Sequence, residues 1–497
     1  MKLVQYENAM VMKRYFRNIY EKYNRLSLPI KATLWFTICN FLQKAISMVT
    51  TPIYTRILSF AEYGVTSTYI AWENVLFMVT SLCLYKALMN LYKRYDHSEK
   101  DMILSSVLAL GGIVTTLWFF VFLSFRKQLV YFMGIPEILI ACLFISFIFN
   151  SAIQSWMLHK RYIYEYKKVV ATIISMVAVS SIFGIFNVLF IAQTAVSKIL
   201  PNVCVIVIIG SAVYIRSFRK NSKFYNKEIW AFALSFAVPL LPHYLSEFVL
   251  QSSDKLMINY MCDLSDVAVY SVAYSVGSLL SMMTSAIDAT FAPFEYEAIR
   301  QGKYRQLSDA SNYMLIIVAT FVLIIMFFRT EIVLIFGGKK YIESSRIIIP
   351  ICIGLYFNFE FRLFARIQEY YEYRKRVVIP SILAALLNLV LNYYYINLFG
   401  YSAAAYTTFF CYAFFCLIHY WFYIDTCKKE NKGISLYDIK KIMFISLGVI
   451  CGGGAVGLLT FNIVIKYSIL VFIIVGSFKR RKEIMIFLNK VVHSLDL

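Results

Sequence analysis

Residues 31–51 read KATLWFTICNFLQKAISMVTT. A helix needs about 20 mainly apolar residues to cross the ~30 Å hydrocarbon core of a bilayer, and this stretch is long enough. Yet Thr33, Thr37, Asn40, Lys44, Ser47 and Thr51 recur at steps of three or four, the spacing of a single helical face. Lipid offers such groups no hydrogen bond, so a polar stripe on an embedded helix must face protein or water. The segment predicts a membrane span that fronts a cavity.

Similar stretches continue almost to the C-terminus, at 64–88, 102–125, 137–158, 169–192, 195–215, 229–253, 264–291, 311–328, 345–366, 377–398, 401–424, 441–461 and 463–478. Together with the first they predict about fourteen spans in an all-α, polytopic membrane protein. The chain has 497 residues, 60% hydrophobic and only 15% charged, with a mean hydropathy of +0.66. These values exclude the soluble class and leave no room for a soluble domain. The first 30 residues are polar and basic, and no small-residue cleavage site follows, so the first span reads as uncleaved.

The net charge of +21 is distributed rather than clustered, which argues against nucleic acid as a partner. Of the 49 lysines and arginines, 37 fall on alternate breaks between spans, ten on the intervening breaks, and Lys44 and Arg362 lie within spans. That bias predicts cytoplasmic N- and C-termini. Six spans return the chain to its starting side, which predicts two halves related by a parallel repeat. Residues 1–228 would form one six-helix lobe and 229–425 a second, with 426–497 adding two more helices and a tail. Glu62, Tyr63, Gly64, Val65 and Ser67 are echoed at one offset by Asp266, Val267, Ala268, Val269 and Ser271. The ten cysteines lie mostly in apolar stretches without a CxxC pair, and the five histidines form no HxxxH or HExxH spacing, so no metal site is predicted.

Polar stripes also mark the second, seventh and eighth spans. The second carries Thr66, Glu73 and Thr80 at steps of seven, flanked by Asn74. In the seventh, His243, Glu247 and Asp254 share a face, and Pro239 and Pro242 predict a bend or a break. The eighth carries Tyr270, Tyr274, Gly277, Ser281, Ser285 and Asp288 on one side. The first two spans of each half would thus face one another across a wet central cavity. A charge at mid-membrane costs about 2.5–3.5 kcal/mol, so Lys44, Glu73, Glu247 and Asp288 should have roles. Lys44 and Glu73 either pair with each other or serve the cavity. Glu360, Arg362 and Arg366 sit near a span end, where snorkelling explains them. His243 and His419 read as packing histidines. No GxxxxGK[ST] loop is present, and the longest outer break, 329–344, is short for a membrane glycosyltransferase or acyltransferase.

Three motifs carry a family resemblance: TPIYTRILSFAEYG at Thr51–Gly64, PLLPHYLSEFVLQSSDKLMINYMCDLSDVAVYSVAYSVGSLL starting at Pro239, and NLVLNYYYINLFGYSAAAYTT at Asn388–Thr408. In order and position they resemble the bacterial polysaccharide transporters, the Wzx-type O-antigen and capsule repeat-unit flippases. That family belongs to the MOP exporter superfamily, with the multidrug MATE exporters and lipid II flippases. Lys255 stands where Arg is commoner, and Ala403 where Gly is common. The resemblance implies a MATE-like fold with two lobes in a V, located in the bacterial inner membrane. It implies a transporter, not an enzyme, that moves polyprenyl-diphosphate-linked oligosaccharide for O-antigen, capsule or exopolysaccharide synthesis. Polysaccharide polymerase and chain-length proteins would be partners. No cofactor is implied, and a coupling ion, proton or sodium, has no motif of its own. Lipid II flipping and cation-coupled drug export are the alternatives. The denser cavity arginines of lipid II flippases are missing, and a drug exporter would need a carboxylate-dominated cavity. The residues expected to line the cavity are Asn40, Lys44, Ser47, Thr51, Glu73, His243, Glu247, Asp254, Lys255, Tyr274, Asp288 and Arg362.

Overall fold

Short capping signals set where the helices begin. Pro29 lies in the first turn of α1 (Leu28–Ile57), where its missing N–H is not needed. The Ser59 side chain accepts from the Glu62 N–H and starts α2 (Phe60–Ser81). In the same way Asn226 caps α8 (Lys227–Met261) and Asp263 caps α9 (Leu264–Arg300). The computed structural model describes residues 27–95, 99–220, 224–431, 433–459, 464 and 466–468, which contain helices, turns and no strand.

Beyond α2 a 3-10 turn (Leu84–Ala87) leads to the short α3 (Leu88–Leu91). The first half then continues with α4 (Lys100–Met133), α5 (Glu137–Tyr162), α6 (Tyr166–Phe190) and α7 (Ala195–Lys220). After α8 and α9 come α10 (Tyr304–Phe327), the short α11 (Arg329–Phe336), a 3-10 segment (Lys339–Ile347), α12 (Ile348–Tyr370), α13 (Arg374–Phe399), α14 (Ser402–Glu430) and α15 (Ile439–Leu459). Of the first thirteen expected spans, twelve each fall on one long helix and the second is divided between α2 and α3; the fourteenth, 463–478, lies almost wholly outside the described residues. Among the described residues, ten helices are long and apolar enough to cross a membrane, or eleven when α2 and α3 count as one broken span. At ~1.5 Å per residue α1 and α8 are also long enough.

Two expectations need correction. The second span does not run straight to residue 88: α2 stops at Ser81, and α3 departs at 56°. Leu82 and Cys83 adopt left-handed backbone conformations there, with φ of 47° and 51°. Of the bend or break expected at Pro239 and Pro242, the break does not occur: α8 continues through both.

The same set of neighbours occurs twice. α1 packs on α6, α5 on α7 and α6 on α7; correspondingly α8 packs on α13, α12 on α14 and α13 on α14. The last helix, α15, packs on α10 and α12 of the second set, and Lys466 reaches Glu331 on α11 at 2.5 and 2.7 Å. The two lobes meet where α2 lies against α8 and α9. Gly64 permits this approach, since a Cβ there would run into the Leu264 carbonyl. At that end of the bundle α1 is also tied to the second lobe. Thr55 Oγ1 donates to the Phe336 carbonyl at 2.6 Å, Arg56 donates to the carbonyls of Leu334 and Ile335, and Lys340 Nζ donates to the Leu58 carbonyl at 2.7 Å. At the opposite end, Trp230 on α8 donates to the Ser106 carbonyl on α4 at 3.0 Å.

Candidate functional site

The four striped helices do converge, as α1 touches α9 while α2 touches α8 and α9. Along α1, Asn40 and Ser47 are exposed and Lys44 and Thr51 half-buried. Lys44 does not pair with Glu73. Its ammonium reaches α9, 3.4 Å from both the Ser281 carbonyl and Ser285 Oγ. Glu73 is half-buried on α2. The side chains of His243 and Glu247 lie outside the described residues.

A polar cavity near these helices belongs to the second lobe rather than to the space between lobes. It measures about 420 Å³ and is lined from α8, α9, α12, α13 and α14, with Gln251, Asp288, Arg362, Arg366 and His419 among its polar groups. Only α8 and α9 of the striped helices contribute, because α2 sits directly against them. Asp288 accepts from Arg362 on one oxygen and from Arg366 Nη1, at 2.9 Å, on the other. Arg366 also donates through Nε to Glu295, which takes a second hydrogen bond from the Tyr437 hydroxyl. Arg362 stays 41% exposed at the cavity wall, whereas Arg366 and Glu295 are buried. Arg366 Nη2 is buried with no partner.

Snorkelling therefore does not describe this cluster. Arg366 turns inward to two carboxylates, and Glu360 is buried and accepts from Ser446 at 2.6 Å. Burial of these charges requires partners, and the lobe interior supplies them. Arg366, Glu295 and Tyr437 were missing from the predicted set. Their signal was present: Arg362 and Arg366 are four apart on α12, Asp288 and Glu295 seven apart on α9, so each pair shares a face.

Asp254 is likewise not a cavity wall residue. It is 1% exposed and enclosed by neutral donors from three helices: Tyr270 at 2.5 Å, Thr408 at 2.6 Å, and Asn392 and Asn388 at 2.7 and 3.4 Å. Ser253 donates to Asn388, and Thr407 to Asn392, which completes a knot joining α8, α9, α13 and α14. The Asn388 and Asn392 motif is thus structural as placed, since the two amides satisfy a buried carboxylate. His419 accords with its packing role: it is buried beside Gln368, 3.1 Å away.

Lys255, next to Asp254, lies 5.5 Å from the ring centre of Tyr274. Lys198 on α7, which no motif singles out, joins it at the lobe interface. Its ammonium donates to Thr66 at 3.3 Å and rests 4.5 and 5.0 Å from the rings of Tyr54 and Tyr63. The two lysines are near enough to repel each other, and neither bonds a carboxylate among the described residues. No cluster of three or more His, Cys, Asp or Glu side chains suited to a metal occurs among the described residues. The interface carries cations, hydroxyls and aromatic faces, and such cations can form charge-assisted hydrogen bonds to an anion.

Comparison with known proteins agrees with the fold. The curated "Lsg locus putative protein 1" of Haemophilus influenzae is 18% identical over 349 residues, covering 69% of this chain and 85% of that protein. Among solved structures, the lipid II flippase MurJ in an inward closed conformation superposes with a TM-score of 0.66 at 17% identity, over 91% of this chain and all of that one. An outward-facing multidrug MATE transporter of the MOP superfamily superposes with a TM-score of 0.54 at 12% identity, over 80% and 95%. These likenesses establish the fold. The MatE family matches residues 239–394, and the family described as "Polysaccharide biosynthesis protein" matches residues 30–293, which is more than half of the sequence. The chain therefore belongs to the family described as "Polysaccharide biosynthesis protein" and has a MATE-like fold.

Proposed function

We propose that this protein is a flippase for polyprenyl-diphosphate-linked oligosaccharide repeat units in a bacterial inner membrane. Both termini would be cytoplasmic, with residues 1–228 and 229–425 as the rocking lobes. The supporting observation is the excess of cations where the lobes meet. Lys198 and Lys255 lie close together without a bonded carboxylate, and Lys44 adds a third ammonium bonded only to neutral oxygens. Half-buried ammonium groups lose part of their hydration, and a diphosphate headgroup would offset that during part of a transport cycle. A cation exporter would need the opposite balance.

The test is flipping of a lipid-linked oligosaccharide in proteoliposomes at matched protein levels. Lys198→Gln with Lys255→Gln should abolish flipping, while Lys44→Ala should reduce it and Lys44→Arg keep part of it, since the charge persists with altered geometry. Full flipping by the lysine variants would exclude them as phosphate contacts. Lipid II in the same vesicles separates the two substrate readings: faster flipping of lipid II than of the oligosaccharide lipid would overturn the repeat-unit assignment.

A further inference from the structure

The first lobe holds a cavity that the flipping site does not use. It measures about 640 Å³ and lies among α4, α5, α6 and α7, on the half of α6 and α7 remote from their linking turn. Near that turn the two helices touch, with Gly184 against the Lys198 carbonyl. The walls are apolar where Leu104, Trp156, Ile208 and Val213 line them, and Lys160, Lys168, Arg216 and Lys220 surround the rim. Two carboxylates answer these four cations. Asp101 binds Lys220 at 2.7 Å, and Glu165 binds Lys160 at 3.0 Å and Lys168 at 2.7 Å. The hydrogen bond from Lys168 holds the Glu165 carboxyl, in the turn between α5 and α6, below its ordinary range, so it remains an anion. Arg216 has no carboxylate partner among the described residues. The rim therefore carries a formal excess of two positive charges.

The apolar part faces outward from the bundle. Ile208 is 67% exposed, and Ala171 and Ser175 on α6 are exposed. A cavity with a basic rim at a helix end and an apolar flank open to lipid matches a phospholipid in both its parts, whereas a soluble anion would use only the rim. Basic pockets between membrane helices at the cytoplasmic face are a known form of anionic headgroup site. We propose that this cavity binds one anionic glycerophospholipid. Its phosphate sits among Arg216, Lys220 and Lys160, and an acyl chain lies along Ile208 and Trp156. The site is separate from the flipping site; the orientation proposed above decides only the leaflet, which would be the inner one.

Trp156 is a native reporter. The full-length protein and its Trp156→Phe variant are reconstituted with phosphatidylglycerol or phosphatidylcholine brominated in the acyl chains. The difference between the two proteins isolates quenching at this tryptophan. Brominated phosphatidylglycerol should quench Trp156 at low mole fraction, while brominated phosphatidylcholine should need far more. Arg216→Gln with Lys220→Gln should weaken the preference for the anionic lipid on the order of twentyfold, at about fivefold per charge. Arg216→Lys alone should keep most of it. Equal quenching by both lipids would overturn the proposal without use of any variant. So would displacement of the lipid by inorganic phosphate, which would make this a site for soluble anions. Flipping by the double variant in phosphatidylcholine vesicles should persist, which keeps this outcome distinct from the outcome for the lysines at the lobe interface.

Discussion

Arg362 and Arg366 show how two like residues four positions apart acquire different duties. Both donate to Asp288, but Arg366 alone compensates Glu295, which is fully buried. Removing Arg362 leaves Asp288 paired through Arg366, so Arg362→Gln should change the melting temperature in detergent very little. Arg366→Gln leaves a buried carboxylate without its cation, a loss of about 3–5 kcal/mol. The two variants should separate by several degrees, and identical melting curves would contradict the assigned network. Asp254 gives a second contrast. Asp254→Ala orphans four donors in the α8–α9–α13–α14 knot and should lower stability by about 3 kcal/mol or more, while Asp254→Asn keeps an acceptor and should lose less. Wild-type abundance and melting in the alanine variant would show that the knot is dispensable.

At the level of helices, the face of α1 makes the clearest prediction. Single cysteines at Asn40, Ser47 and Thr51 should react with a membrane-impermeant thiol reagent, and cysteines at Phe41 and Met48 should react far more slowly, although Phe41 is 53% exposed, because that exposure is to lipid. Equal rates would remove the case for a wet stripe. The periodicity of this helix was legible in the sequence because it depends only on local spacing, and so were twelve span positions, which depend on length and apolarity. Two things were not legible. The break after Ser81 has neither Gly nor Pro to announce it; Leu82 and Cys83 take left-handed conformations at a cost of roughly 1–2 kcal/mol each, held by their buried surroundings. Partners across helices were also hidden. Spacing leaves open whether Lys44 pairs with Glu73 or serves the cavity, and the chain brings α9 to it; nothing local marks Lys198 as a residue of the lobe interface. Spacing shows which residues share a face; it does not show which face they meet.

For the molecule as a whole, the orientation proposed from charge places the Lys339 turn outside. Cysteines beside Lys339 should be labelled from outside the cell, and labelling only from the cytoplasm would invert the topology. At that end Thr55, Arg56 and Lys340 tie the lobes together. Thr55→Val with Lys340→Gln removes two bonds of about 1 kcal/mol each, which should raise labelling of a cysteine at Thr51 from that side by roughly ten- to thirtyfold if the lobes rock between two states. No change would mean that these bonds do not hold the end shut. The bonds share one trait: every donor is a side chain and every acceptor a main-chain carbonyl, at Phe336, Leu334, Ile335 and Leu58. Any residue type presents the same carbonyl, so the fastening places its whole demand for identity on one partner. A saturation library should accordingly be intolerant at Thr55, Arg56 and Lys340 and permissive, for any apolar side chain, at Leu334 and Ile335. A lineage could then redraw the surface around this seam freely while keeping its strength, provided three donors stay in place.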